Sequence, residues 1–260
     1  MTPFQAEAKR PELVAGLLVT SGLAWCLTVE RMAGMDAGPG TALGTLGWFT
    51  GSWLVMMAAM MLPSFAPTVA AYLTLARGHG PSRCLLFACG YLLAWTAAGI
   101  VAYGVFELGK GLFANDLAWH RGGRWLSGGV IAAAAAYQFM PSKRACLTRC
   151  RGQLGDLHGV SNRGWPAALA MGVRSGGWCI GCSGALMAAL FALGVMSLTW
   201  MALIAALVAL EKTGPWPSAA RLVTAIVLAV LAAGILAAPH EIPGLAVPGS
   251  GAMHAMRTMG

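Results

Sequence analysis

GWPAALAMGVRSGGWCIGCSGALMAALFALGVMSLTWMALIAALVAL, residues 164–210, holds 47 residues and a single charged side chain, Arg174. As one continuous α-helix it would extend about 70 Å, more than twice the roughly 30 Å hydrocarbon thickness of a bilayer. Two membrane-length helices joined by a turn account for that length. Residues 194–197, which begin with Gly194, are the expected turn.

The rest of the chain has the same character. Of its 260 residues 58% are hydrophobic and only 10% charged, and the mean hydropathy is +0.69. These values exclude a soluble globule and predict an integral membrane protein. The net charge of +8 sits between apolar segments, so it reads as topology signals and lipid headgroup contacts, not as a nucleic-acid surface. Lys9 and Arg10 precede a first apolar run at 13–29 without a small-residue cleavage site, which marks a retained helix. Further spans are expected within 37–76, at 84–106, at 125–139, twice within 164–210 and at 222–238. Pro63 and Pro67 should bend or end the helix within 37–76. The expected fold is therefore an all-α, polytopic transmembrane helix bundle of about seven spans at 13–238, between a short N-terminal segment at 1–12 and a flexible tail at 239–260. In that arrangement eleven Lys and Arg fall on one side and five on the other. The positive-inside rule then puts the N-terminus in the cytoplasm.

Three groups of residues carry possible chemistry. Cys179 and Cys182 form a Cys-x-x-Cys pair inside the 164–210 stretch, a spacing shared by metal sites and dithiol redox centres. Gly176, Gly177, Gly181 and Gly184 around it would let the backbone deform or pack closely. Met56, Met57, Met60 and Met61 place thioethers on adjacent faces of one helix. Thioethers are neutral, soft donors suited to Cu(I), although such a stripe also serves as core filler. Cys146 and Cys150 lie one helical turn apart among Lys143, Arg144, Arg149 and Arg151, and cationic surroundings favour thiolates. Met187 and Glu211 lie further along, Glu211 as a hard ligand, a proton site or an ion-pair partner. Arg174 is either a functional intramembrane charge or an interfacial anchor. The five histidines show no paired metal-ligand spacing. There is no nucleotide-binding signature, so a non-enzymatic role is favoured.

Met57-Ala58-Ala59-Met60-Met61-Leu62-Pro63-Ser64, Tyr137-Gln138-Phe139-Met140-Pro141-Ser142-Lys143-Arg144-Ala145-Cys146 through Cys150-Arg151, and Cys179-Ile180-Gly181-Cys182 with Ala185-Leu186-Met187, Gly194-Val195-Met196 and Glu211-Lys212 occur in that order. The combination, across roughly residues 46–214, resembles the bacterial family of predicted metal-binding integral membrane proteins of unknown function. The resemblance implies a metal site and a place in the bacterial inner membrane. Two departures stand out. The family's usual Cys-Cys-Trp is here Cys182-Ser183-Gly184, and its usual Met-Asn-Leu is Met196-Ser197-Leu198.

The leading expectation is binding of a soft transition metal, Cu(I) before zinc, for transport, delivery or tolerance. Cys179 and Cys182 would be core ligands, and Met56, Met60, Met61, Met187 and Glu211 further candidates. Cys146 and Cys150 would form a separate cytoplasmic acquisition or release site. The expected surroundings are the lipid bilayer and a metal chaperone or another membrane subunit. A membrane thiol-disulfide oxidoreductase using Cys179/Cys182 is the second reading, and a noncatalytic membrane subunit the third.

Overall fold

The computed structural model describes residues 11–32, 43–75, 81–113, 122–152, 164–195 and 197–238. Most of the N-terminal segment, the tail at 239–260, Met196 and all five histidines lie outside the described residues. Eight helices and no strand are found among the described residues: α1 (Pro11–Met32), α2 (Leu46–Leu75), α3 (Pro81–Phe113), α4 (Arg124–Tyr137), α5 (Pro141–Arg151), α6 (Trp165–Leu193), α7 (Leu198–Thr213) and α8 (Pro217–Ala237).

The all-α expectation agrees with this architecture, but the expected seven spans are not supported. Four of the described helices are long and apolar enough to cross a membrane, at Leu46–Val69, Ser82–Gly109, Trp165–Leu193 and Pro217–Ala237. Helix α4 has 14 residues and α7 has 16, or about 21 and 24 Å at 1.5 Å per residue, short of a 30 Å core. Helix α1 has 22 residues, with Glu30 and Arg31 at its end, and is not among these four. The turn expected at 194–197 is present: α6 ends at Leu193, Gly194 takes a φ of +112° and α7 begins at Leu198. A left-handed φ of this kind is open to glycine at no steric cost.

Helix α2 runs through Pro63 and Pro67 without interruption. Pro63 has no N–H to offer the Ala59 carbonyl one turn earlier, and an unpaired carbonyl in an apolar bundle is costly. Ser21 of α1 supplies the missing donor, its hydroxyl reaching Ala59 O at 2.8 Å while Ser21 itself is buried.

The described chain divides into two compact units, with α3 cut near Tyr103 and α6 near Gly184. The first unit combines α1, α2, most of α3, α5 and the first two thirds of α6. Trp53 of α2 donates its indole N–H to Trp95 O of α3 at 2.8 Å. Phe65 of α2 stacks on Tyr91 of α3, with ring centroids 4.0 Å apart. Helices α3 and α6 meet backbone to backbone. A Cβ on Gly90 would collide with Leu169 O, one on Gly172 with Phe87 O, and one on Gly176 would lie 2.6 Å from the Ala94 Cβ. The glycines spaced four apart on α6 thus allow close packing while the helix stays regular throughout.

The second unit contains α4, α7, α8 and the C-terminal part of α6. Helix α8 packs along α4, where Gly128 leaves no room for a Cβ against Leu236. Arg221 of α8 donates to Gln138 O at the end of α4 at 3.5 Å. After α4 the chain tightens into i→i+3 hydrogen bonds at Gln138, Phe139 and Met140 before Pro141 opens α5. Proline disfavours helical geometry in the residue before it yet fits the first helical position, so α5 is a new helix, not an extension of α4.

Candidate metal centre

Cys179 and Cys182 lie in the middle of α6, three residues apart and therefore on one face. Both are buried, at 0% and 1% exposure. The Cys182 thiol donates to Cys179 O at 3.3 Å and lies 3.4 Å from Ser183 Oγ. Cys179 Sγ lies 2.9 Å from the phenol oxygen of Tyr91, itself 1% exposed.

Helix α5 is short and strongly basic, and it rests on this segment of α6. Leu147 anchors it in the core, and the guanidinium of Arg149 sits over the Trp178 ring at 4.5 Å from the centroid. Cys146 packs against Gly181, where an added Cβ would lie 2.7 Å from Cys146 Sγ. Glycine at 181 is thus the residue that lets α5 approach so closely. One helical turn further along, the sulfur of half-buried Cys150 joins those of Cys179 and Cys182, all three within 4.8 Å of one another.

That spacing suits a soft ion. Three sulfurs at about 2.3 Å from a common centre, in a trigonal plane, are separated by roughly 4.0 Å. Small side-chain adjustments would bring the three cysteines to this geometry. None of the chain's seven cysteines is disulfide-bonded. Three ionised thiolates around Cu(I) would leave a net charge of about −2 in a buried place, which is costly without compensation. Helix α5, with Lys143, Arg144, Arg149 and Arg151, brings the positive charge there.

The structure therefore rearranges the expected groups. Cys150 joins Cys179 and Cys182 in one cluster, where two separate pairs were expected, because α5 folds against α6. Cys146 flanks that cluster at Gly181 and is not one of its three members. Met56, Met57, Met60 and Met61 are all buried on α2 in the first unit. Met187 and Glu211 are buried in the second unit, and Glu211 is not a member of the cluster. Arg174 lies on an exposed face of α6, ten residues into the helix.

Tyr91 was missed by sequence reasoning, although a signal for it exists. It is a hydroxyl-bearing aromatic inside an uncharged, membrane-length run, and a buried tyrosine hydroxyl normally finds a hydrogen-bond partner.

No curated protein and no solved structure was found to match the chain. Residues 50–236 match the family model PpoB2, described as a copper chaperone. The matched region holds all three clustered cysteines and Tyr91, and it spans well over half of the sequence. The chain belongs to the PpoB2 copper chaperone family.

Proposed function

We propose that this protein is a multi-pass protein of the bacterial inner membrane that binds Cu(I) and hands it on to another protein. The observation that carries this reading is the convergence of Cys150, Cys179 and Cys182 within 4.8 Å in a member of a copper chaperone family. Thiolates select Cu(I) over harder ions, and a trigonal set holds the ion without saturating it. Half-buried Cys146 and Cys150 on α5 form the exchange side of the site, and buried Cys179 and Cys182 form its holding side. The thioethers of Met56, Met60 and Met61 are weaker stations. Met61 lies one turn before Phe65, whose ring stacks on Tyr91, which in turn contacts Cys179. Met187 and Glu211 serve the same handling further along the chain. The basic face of α5, and the N-terminus with it, lies on the cytoplasmic side by the positive-inside rule.

A dithiol-disulfide role for Cys179 and Cys182 is less well supported. Redox-active Cys-x-x-Cys pairs gain reactivity from a helix N-terminus, whose unpaired N–H groups stabilise a thiolate. Cys179 is the fifteenth residue of α6, far from that end.

The test is copper content after anaerobic loading of the purified protein with Cu(I). Wild type should retain about one ion per chain, and the C179S/C182S variant should retain none. Equal retention by the two would remove the proposal.

A further inference from the structure

Tyr91 contacts the cluster without being able to act as a soft ligand. Its ring stacks on Phe65 at 4.0 Å, and its backbone lies against Gly176, where an added Cβ would be 3.0 Å from Tyr91 O. The side chain is 1% exposed, and its hydroxyl lies 2.9 Å from the Cys179 sulfur. In the thiol form of Cys179 either atom can donate this hydrogen bond. Once a metal takes the thiolate, the sulfur has no proton and the phenol must be the donor.

We propose that Tyr91 is the positioning residue of the copper site: its phenol O–H donates to the Cys179 thiolate, fixing the sulfur and offsetting its buried negative charge. This rests on the reading of Cys179 as a ligand. A thiolate in a low-dielectric interior gains more from such a donor than one in water, and losing the donor leaves the charge uncompensated. Hydrogen-bonding partners of metal ligands commonly contribute 10- to 100-fold to affinity. The donor also lowers the energy of the sulfur lone pair, so it sets the energy of the sulfur-to-copper electronic transition.

The experiment loads full-length wild type and Tyr91→Phe anaerobically with Cu(I). Affinity is measured by competition with a soluble Cu(I) chelator, and the ultraviolet difference spectrum between loaded and metal-free protein is recorded. Phenylalanine retains the stack on Phe65 and the fit against α6, so a purely structural role for Tyr91 would leave both readouts unchanged. The expected result is a roughly 10-fold or greater loss of affinity, with the sulfur-to-copper band moved to lower energy. Wild-type affinity with an unmoved band would overturn the proposal. If Tyr91→Phe does not accumulate, fluorotyrosine at position 91 decides. Its phenol is a stronger donor of the same shape, and it should move the band to higher energy; an unmoved band overturns the proposal. Failure of wild type itself to bind Cu(I) would instead remove the underlying metal reading.

Discussion

Two sets of soft donors lie in the first unit, and they are built differently. Met56, Met57, Met60 and Met61 come from a single stretch of α2, at spacings that spread them over adjacent faces of one cylinder. Cys150, Cys179 and Cys182 come from two helices and converge on one point. The four methionines are as deeply buried as Cys179 and Cys182, while Cys150 is half-buried, so burial alone does not identify a site. Convergence does, because it needs a specific contact between α5 and α6, and Gly181, Cys146, Arg149 and Trp178 supply one.

Substitutions test how deep that difference goes. The largest effect is expected from C179S/C182S, which should abolish Cu(I) retention measured by metal analysis. Cys150→Ser should reduce affinity at least 10-fold, leaving a two-sulfur site, and chelator competition would measure it. If Cys150→Ser has no effect, α5 contributes nothing to binding and the convergence is only packing. Next comes Gly181→Ala, which pushes a methyl group into Cys146 Sγ. Overpacking of this kind costs about 1–3 kcal/mol, or roughly 5- to 150-fold in affinity if it is relieved by lifting α5. Adding Cys146→Ala should recover part of that loss, which a general folding defect would not allow. Met60→Leu with Met61→Leu should leave equilibrium affinity within about 3-fold, since Leu replaces Met at small cost, while slowing copper transfer to an acceptor. A large drop in affinity would instead place the methionines in the holding site. A similarly small effect is expected from Arg149→Ala. An exposed cation–π contact is worth about 0.5–1 kcal/mol, so affinity should fall about 2- to 5-fold, with a change in Trp178 fluorescence.

The helical character of the chain was legible because it depends on composition and run length. The break before α7 was legible for the same reason: 47 nearly uncharged residues cannot be one span, and Gly194 is the residue that can turn the chain. The number of spans was not. The run at 125–139 is apolar enough to read as a crossing, but its 15 residues make only about 22 Å of helix, and α4, from Arg124 to Tyr137, has 14. The two cysteine pairs were visible as pairs. Their union was not, because it depends on the direction α5 takes after Pro141, and that direction is set by packing against Gly181 and Trp178. Tyr91 shows the same limit. Its partner is 88 positions away in sequence, and no local pattern links the two.

The hydroxyl of Ser21 on the Ala59 carbonyl gives α1 a purpose that its own sequence does not advertise. Ala59 is buried, so water is not at hand to satisfy the carbonyl that Pro63 leaves open. The Ala59 carbonyl of α2 therefore depends on a donor from a neighbouring helix. In a circularly permuted chain that places α1 after α2, the Ala59 carbonyl would wait for that donor until α1 is made.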